Sequence, residues 1–234
     1  MARTKLKIDR LQIVRRRGWL SMTPTAFQDR VLKCCRLQSL QSGDPVFRLD
    51  DEHGGIYCLI EGSVAVFAAP TDRGPYLVHI GRPGLWMGAG PLFNYRRRST
   101  VSATRPSVCL QLPQNDIHAI VAEIPDAWRT FGMLAMYTYD VAMSAHDDLM
   151  LRDPLKRCLA VLLRLGDCRH PNLSEKEPIE LDVRQQDIAV LANLSLNAVG
   201  NILRSLEARG VISLEYRVIK ILDAKALRKA AKTV

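Results

Sequence analysis

An α+β chain is predicted by three observations. Runs rich in Val, Ile, Tyr and Phe alternate with Gly, Pro and Asp turns up to about Leu112; the apolar period becomes helical from Pro125 to about Arg152; and Leu181 to Leu222 read helix, capped turn, helix, glycine stop and hairpin. The expected architecture is a β-sandwich or barrel, a long helix and a winged helix-turn-helix. With 234 residues and 47% hydrophobic content, the chain can bury one large core or two small ones.

Residues 1–23 contain Arg15, Arg16 and Arg17 and read as a basic N-terminal arm, either solvated or touching phosphate. A β-domain is placed at 24–125. It opens with a short helix around Thr25 to Cys35. Strand-like runs follow at Pro45 to Arg48, Ile56 to Ile60, Ser63 to Phe67, Tyr76 to Ile80, Leu85 to Met87, Thr100 to Thr104 and Val108 to Leu112. Within YCLIEGSVAVF the alternation breaks at Glu61-Gly62, which reads as a turn or kink between two paired strands.

Residues 126–152 read as a dimerisation helix. Met136, Tyr139, Met143, His146 and Met150 recur at alternating steps of three and four, the seam spacing of a coiled coil. Leu134, Tyr137, Val141, Ala145 and Asp148 form a second, less apolar stripe. One stripe is expected to pack on its own β-domain and the other on a second copy, giving a homodimer.

Residues 153–234 hold the winged module. Pro154 starts an amphipathic helix, Leu155 to Leu165, and the polar stretch Gly166 to Pro178 leads onward. Ile188, Leu191 and Ala192 give the next helix a buried face. Ser195 caps the following one by accepting from its free backbone N–H groups, and Val199, Ile202, Leu203 and Leu206 are its apolar side. Its outward face is Leu196, Asn197, Asn201 and Arg204. Gly200, mid-helix, costs about 1 kcal/mol relative to Ala, which points to close approach of another backbone. Gly210 stops the helix, and Val211 to Leu214 and Val218 to Leu222 flank a tip of Glu215, Tyr216 and Arg217 as the wing. This order of parts points to DNA.

Charge agrees: 33 Lys plus Arg against 24 Asp plus Glu leaves a formal charge of +9, which favours an anionic partner through counterion release. No run approaches the roughly 18 apolar residues of a membrane span, so no membrane association and a cytoplasmic location are expected. Of the six cysteines, Cys58, Cys109 and Cys158 lie in apolar runs and read as small buried hydrophobes. Cys34 with Cys35, or Cys168 with His170, leave a redox or metal role open, but no four-ligand zinc set forms, and no metal site is assigned. No nucleophile triad, paired carboxylate or phosphate-loop constellation is present, and His53 or His118 alone makes no site; no catalytic residue is assigned and an enzyme is not expected.

Barrel, long helix and winged module in this order resemble the Crp/Fnr family of bacterial transcription regulators. The resemblance runs from about Ser21 onward and is carried by LIEGSVAVF (59–67), GAGPLF (88–93), RRSTVSA (97–103), RDPLKRCLAVLLRL (152–165) and RQQDIAVLANLSLNAVGNILRSLEARGVISL (184–214). It implies a double-stranded β-helix, or β-roll, that senses an effector, and a homodimer binding two half-sites of a near-palindromic duplex. RNA polymerase is the further partner it suggests.

At the effector pocket the sequence departs from the family. Cyclic-nucleotide-binding members carry a Gly-Glu pair whose carboxylate accepts from the ribose hydroxyl; here the pair is Gly88-Ala89, and alanine has no acceptor. Their phosphate-holding Arg-Ser pair aligns with Arg97-Arg98 or Arg98-Ser99, either a bidentate anion clamp or a solvated basic turn. Their Thr-Ser pair for the base falls near Ala142 and Met143. A cyclic nucleotide is therefore disfavoured as cofactor, and the roll either senses another effector or works without one. Cys34 and Cys35, adjacent, suit an iron–sulfur cluster poorly. His79 and His146 read as ordinary histidines rather than haem ligands.

The contact helix departs too. Where many relatives show Arg and Glu to the bases, Leu196 and Asn197 stand here, with Asn201 at the later Arg position. Asn suits adenine and Leu the thymine methyl, so an A/T-richer half-site is expected, with Gln185, Gln186 and Arg204 on phosphates. The alternative is a small-ligand-binding signalling module with a degenerate DNA-binding domain.

Overall fold

The computed structural model describes residues 11–52, 54–69, 73–170 and 178–232. His53 lies outside them. The chain divides into two compact units, one within residues 1–76 and 80–140, the other within 77–79 and 141–234. The expected mixed α+β architecture is what folds: a strand-rich roll, a long helix and a winged helix-turn-helix.

The roll is two four-stranded sheets. Numbering strands along the chain, one sheet has the order β1 (Arg36–Leu40), β8 (Ser107–Leu112), β3 (Ile56–Glu61), β6 (Trp86–Met87). The other has the order β2 (Pro45–Phe47), β7 (Ser99–Ala103), β4 (Val64–Ala68), β5 (Tyr76–Gly81). Strand alternation assigns side chains to two cores. From β3, Ile56, Cys58 and Ile60 enter one cluster while Tyr57 and Leu59 enter the other. Cys109 joins the second cluster, with Phe47, Met87 and Val101. The first is covered by helices α2 (Thr25–Cys34), α3 (Gln114–Glu123) and the start of α4 (Ala127–Met150), through Phe27, Ile117 and Phe131.

Two expectations need correction here. β3 and β4 are not a paired hairpin: each belongs to a different sheet. The chain changes sheets at Glu61-Gly62, where Gly62 has φ +92° and a Cβ would overlap the Ser107 side chain. Nor is the described part of the N-terminal arm a free solvated segment, although Arg16 itself is exposed. Residues 11–16 are helical, α1 (Gly18–Ser21) follows, and Val14, Trp19 and Leu20 are fully buried. The Trp19 indole donates to the Thr130 carbonyl at 2.7 Å and stacks on Phe131 with ring centroids 5.6 Å apart. The run of arginines drew the sequence reading outward; the apolar residues beside it set the docking.

On α4, Phe131 and Leu134 are fully buried, and Met136, Tyr139, Met143, His146 and Met150 are exposed. In the second unit, Asp153 caps α5 (Pro154–Leu165), accepting from the backbone N–H of Leu155 at 2.7 Å. Asp148, fully buried, accepts from Arg164 Nε at 2.7 Å and from Arg169. A buried carboxylate needs such partners, because leaving it unpaired costs several kcal/mol. Helices α6 (Gln185–Ala192), α7 (Leu196–Ala208) and α8 (Ala224–Lys232) and the sheet β10 (Ile212–Glu215), β11 (Val218–Ile221), β9 (Ile179–Leu181) complete the unit.

Candidate nucleic-acid interface and effector site

The bihelical unit is built by local signals. At the start of α6 the Asp187 carboxylate accepts from Arg184 N at 2.9 Å and from its guanidinium at 2.7 Å. This pairing holds the Arg184 guanidinium above its ordinary range. Ile188, Leu191 and Ala192 are buried, and Gln185 and Gln186 face outward. Asn193, at φ 49°, turns the chain in the left-handed region that Asn tolerates. Ser195 then accepts from Ala198 N at 3.2 Å as the cap of α7.

α7 is two-faced. Val199 and Leu203 are fully buried and Leu206 nearly so, whereas Leu196 is 52% exposed and Asn197, Asn201 and Arg204 all stand outside. Arg204 donates to Asn201 Oδ1 at 2.6 Å. A Cβ added to Gly200 would sit 3.5 Å from Gln185 Oε1 and 3.8 Å from Arg204 Nη1. The expected backbone approach at Gly200 is thus absent, since both neighbours are flexible side chains at ordinary contact distance. The same geometry gathers Gln185, Asn201 and Arg204 around one spot.

The hairpin pairs Ile212 with Ile221 and Glu215 with Val218. Its tip carries Tyr216, 92% exposed, and Arg217 at φ 60°. Glu207 accepts from Leu214 N at 2.8 Å and so fixes the hairpin to α7. β9 adds a third strand that sequence reasoning missed, because a three-residue run after a polar stretch has no measurable period.

In the roll, Gly88 has φ +88° and Ala89 is 8% exposed at the start of a 3₁₀ turn, Gly90–Phe93. Arg97 is 2% exposed. It donates to the Gly88 carbonyl at 3.1 Å and the Gly55 carbonyl at 2.9 Å, with its guanidinium 4.1 Å from the Phe47 ring and 5.4 Å from that of Tyr57. Burial lowers the Arg97 pKa from its ordinary value. Arg98 is exposed, 5.9 Å from the Tyr95 ring, and Ser99 opens β7 half-buried. Ala142 and Met143 are exposed on the part of α4 that belongs to the other unit. Gly55, Phe47 and Tyr57 were not singled out from sequence; the Gly54-Gly55 pair was the signal available.

The remaining candidates fall elsewhere. Cys58, Cys109, Cys158 and Cys168 are buried, and burial pushes the Cys109 and Cys158 thiols up to about 12. Arg30 donates to the Cys34 sulfur at 2.7 Å, and desolvation pushes the Cys35 thiol up to about 12. His79 meets Arg164 Nη1 at 3.0 Å within the second unit and is pushed down to about 3 by desolvation and by that guanidinium. His118 packs its ring against Trp128 with centroids 6.4 Å apart. Among the described residues, no group of three His, Cys, Asp or Glu is placed to hold a metal, and no helix is long and apolar enough to cross a membrane.

Comparison with known proteins gives two family matches: a cyclic nucleotide-binding domain over residues 37–123 and a Crp-like helix-turn-helix domain over residues 156–230. No curated protein matches significantly along its sequence. Solved structures do. FixK2 from Bradyrhizobium japonicum is 15% identical, with a TM-score of 0.68 over 86% of this chain and 98% of that one. A protein from Ruegeria pomeroyi described by cyclic nucleotide binding is 17% identical, with a TM-score of 0.69 over 97% and 99%. A CRP/FNR transcriptional regulator from Thermus thermophilus is 20% identical, with a TM-score of 0.59 over 85% and 99%.

Proposed function

The chain belongs to the Crp/Fnr family of DNA-binding transcription regulators, as its cyclic nucleotide-binding and Crp-like helix-turn-helix domains together support, and on that premise we propose that it binds a near-palindromic duplex as a homodimer. The observation that carries this reading is the outer face of α7, where Leu196, Asn197, Asn201 and Arg204 are exposed although Val199, Leu203 and Leu206 on the opposite face are buried.

Asn197 and Asn201 each offer an amide able to bond adenine N6 and N7, and Leu196 offers apolar contact for a thymine methyl. Gln185, Gln186 and Arg204 hold phosphates and so set register without reading sequence. Ser195 keeps the N-terminal turn of α7 formed, which aims the first of these side chains. The stripe Met136, Tyr139, Met143, His146 and Met150 supplies the dimer seam: Met136 and Met150 are 58% and 67% exposed, a cost in apolar surface that a second copy removes. Two copies related by a twofold axis present two α7 helices about 34 Å apart, one turn of DNA.

Selection of bound duplexes from a random pool, followed by titration at several salt concentrations, tests the proposal. The expected result is an A/T-rich inverted repeat bound by two chains, with affinity falling steeply as salt rises. Recovery of no enriched site, or binding by a single chain, would overturn it.

A further inference from the structure

We infer that Arg97 is a built-in occupant of the roll's effector site, so that the site is closed and takes no anionic nucleotide. This rests on the family assignment but not on the proposed DNA contacts.

A nucleotide with a cyclic phosphate needs a cation with donors to spare and an acceptor for its sugar hydroxyl. The residues present do not fit that need. Arg97 is turned inward, 2% exposed, and its two terminal nitrogens are given to main-chain carbonyls on two different loops, Gly55 at 2.9 Å and Gly88 at 3.1 Å. These carbonyls are acceptors, so their side of the cradle welcomes a cation and repels an anion. The guanidinium lies across Phe47 at 4.1 Å, with Tyr57 beyond it, so that ring faces help to seat the buried charge. Gln111 donates to Tyr57 Oη at 3.1 Å and to the Gly54 carbonyl at 2.8 Å, closing the same loop from below.

The space is filled as well as claimed. A Cβ at Gly88 would overlap Arg97 Nη1, and one at Gly54 would lie 3.2 Å from Nη2. The left-handed glycines at 54 and 88 thus leave room for the guanidinium, while Gly55 lets the loop pass against the 112–114 backbone. At the sugar end, Ala89 is 8% exposed and carries a methyl group where an acceptor is needed. An arginine waiting for a phosphate and an arginine serving as an internal strut make opposite demands on the empty protein. Removing the first costs ligand affinity alone; removing the second strips two main-chain carbonyls of a partner, the one at Gly55 buried.

The test uses the full chain without DNA. Cyclic AMP and cyclic GMP are each titrated into it by calorimetry, and melting temperatures are recorded for wild type, Arg97→Met and Arg97→Lys, with and without the nucleotides. The expected result is no saturable heat and no change in the wild-type melt on adding nucleotide. Arg97→Met should melt at least about 5 °C lower, since two hydrogen bonds from a charged group are lost at once. Arg97→Lys, keeping charge but losing the fork, should fall between them. If Arg97→Met does not fold, the lysine variant and the wild-type titration decide. Saturable nucleotide binding that raises the wild-type Tm, or variants that melt with wild type, would overturn the inference. Because no DNA is present, a failure of the DNA-binding proposal leaves this result readable.

Discussion

The roll and the winged unit each place an arginine where an anion would be sought, and they treat it in opposite ways. Arg97 is 2% exposed, and its two terminal nitrogens each donate to a carbonyl, those of Gly88 and Gly55. Arg204 stands outside α7, tethered to Asn201 by one 2.6 Å bond that solvent or a phosphate can replace. The pair teaches that residue type does not decide the partner. Burial and the surrounding acceptors do, because a guanidinium satisfied by fixed carbonyls would lose more by leaving them than an exposed one loses by exchanging partners.

The contrast is broken most severely at the dimer stripe. Asp at both Met136 and Tyr139 should give a monomer by analytical ultracentrifugation and cost over ~100-fold in affinity for a two-half-site duplex, because the second half-site then contributes no avidity. Retained dimers would move the seam elsewhere. Next comes the exposed arginine itself. Arg204→Ala should weaken binding about tenfold on every sequence and reduce the salt slope by about 1, measured by titration across salt; an unchanged slope would remove it from the phosphates. Asn197→Ala should instead relax preference at a single base pair, up to about tenfold, and an unaltered selection profile would show that it reads nothing.

Smaller effects sharpen the view of the interior. His79, held down to about 3, sits below its unfolded value near 6.5. The unfolded chain therefore binds the extra proton, so this contribution is complete above pH 6.5 and is lost as pH falls towards 3. The wild-type Tm should drop more steeply over that range than the Tm of His79→Gln; parallel curves would refute it. Least of all, Gly200→Ala should raise stability by up to ~1 kcal/mol, or about 2–4 °C in Tm, since its Cβ meets Gln185 Oε1 at an ordinary 3.5 Å. A lower Tm would mean that the glycine is needed for packing after all.

How far each feature could be read from sequence follows its physical range. The bihelical unit was legible almost residue by residue, because caps, apolar steps and glycine stops act within one turn: Ser195 and Gly210 lie where they were expected. Most strands of the roll were legible from their alternation. Arg36–Leu40 was not, since RLQSL is mostly exposed and offers no clear period. The buried helix around Val14 and Trp19 was hidden by three arginines, and the sheet change at Gly62 by a break that looks the same as a hairpin turn. In the effector site, RRRS showed that a cation was present but not which way it faced.

The order of elements, the two faces of α7 and the two stripes on α4 were thus legible in the sequence itself, since each depends on neighbours within one or two turns of the chain. Tertiary structure alone decided which strands share a sheet, where the N-terminal helix docks, and that Arg97 points at Gly55 and Gly88. Those outcomes join residues tens of positions apart, and they are chosen by which buried charge or ring finds its complement once the core closes.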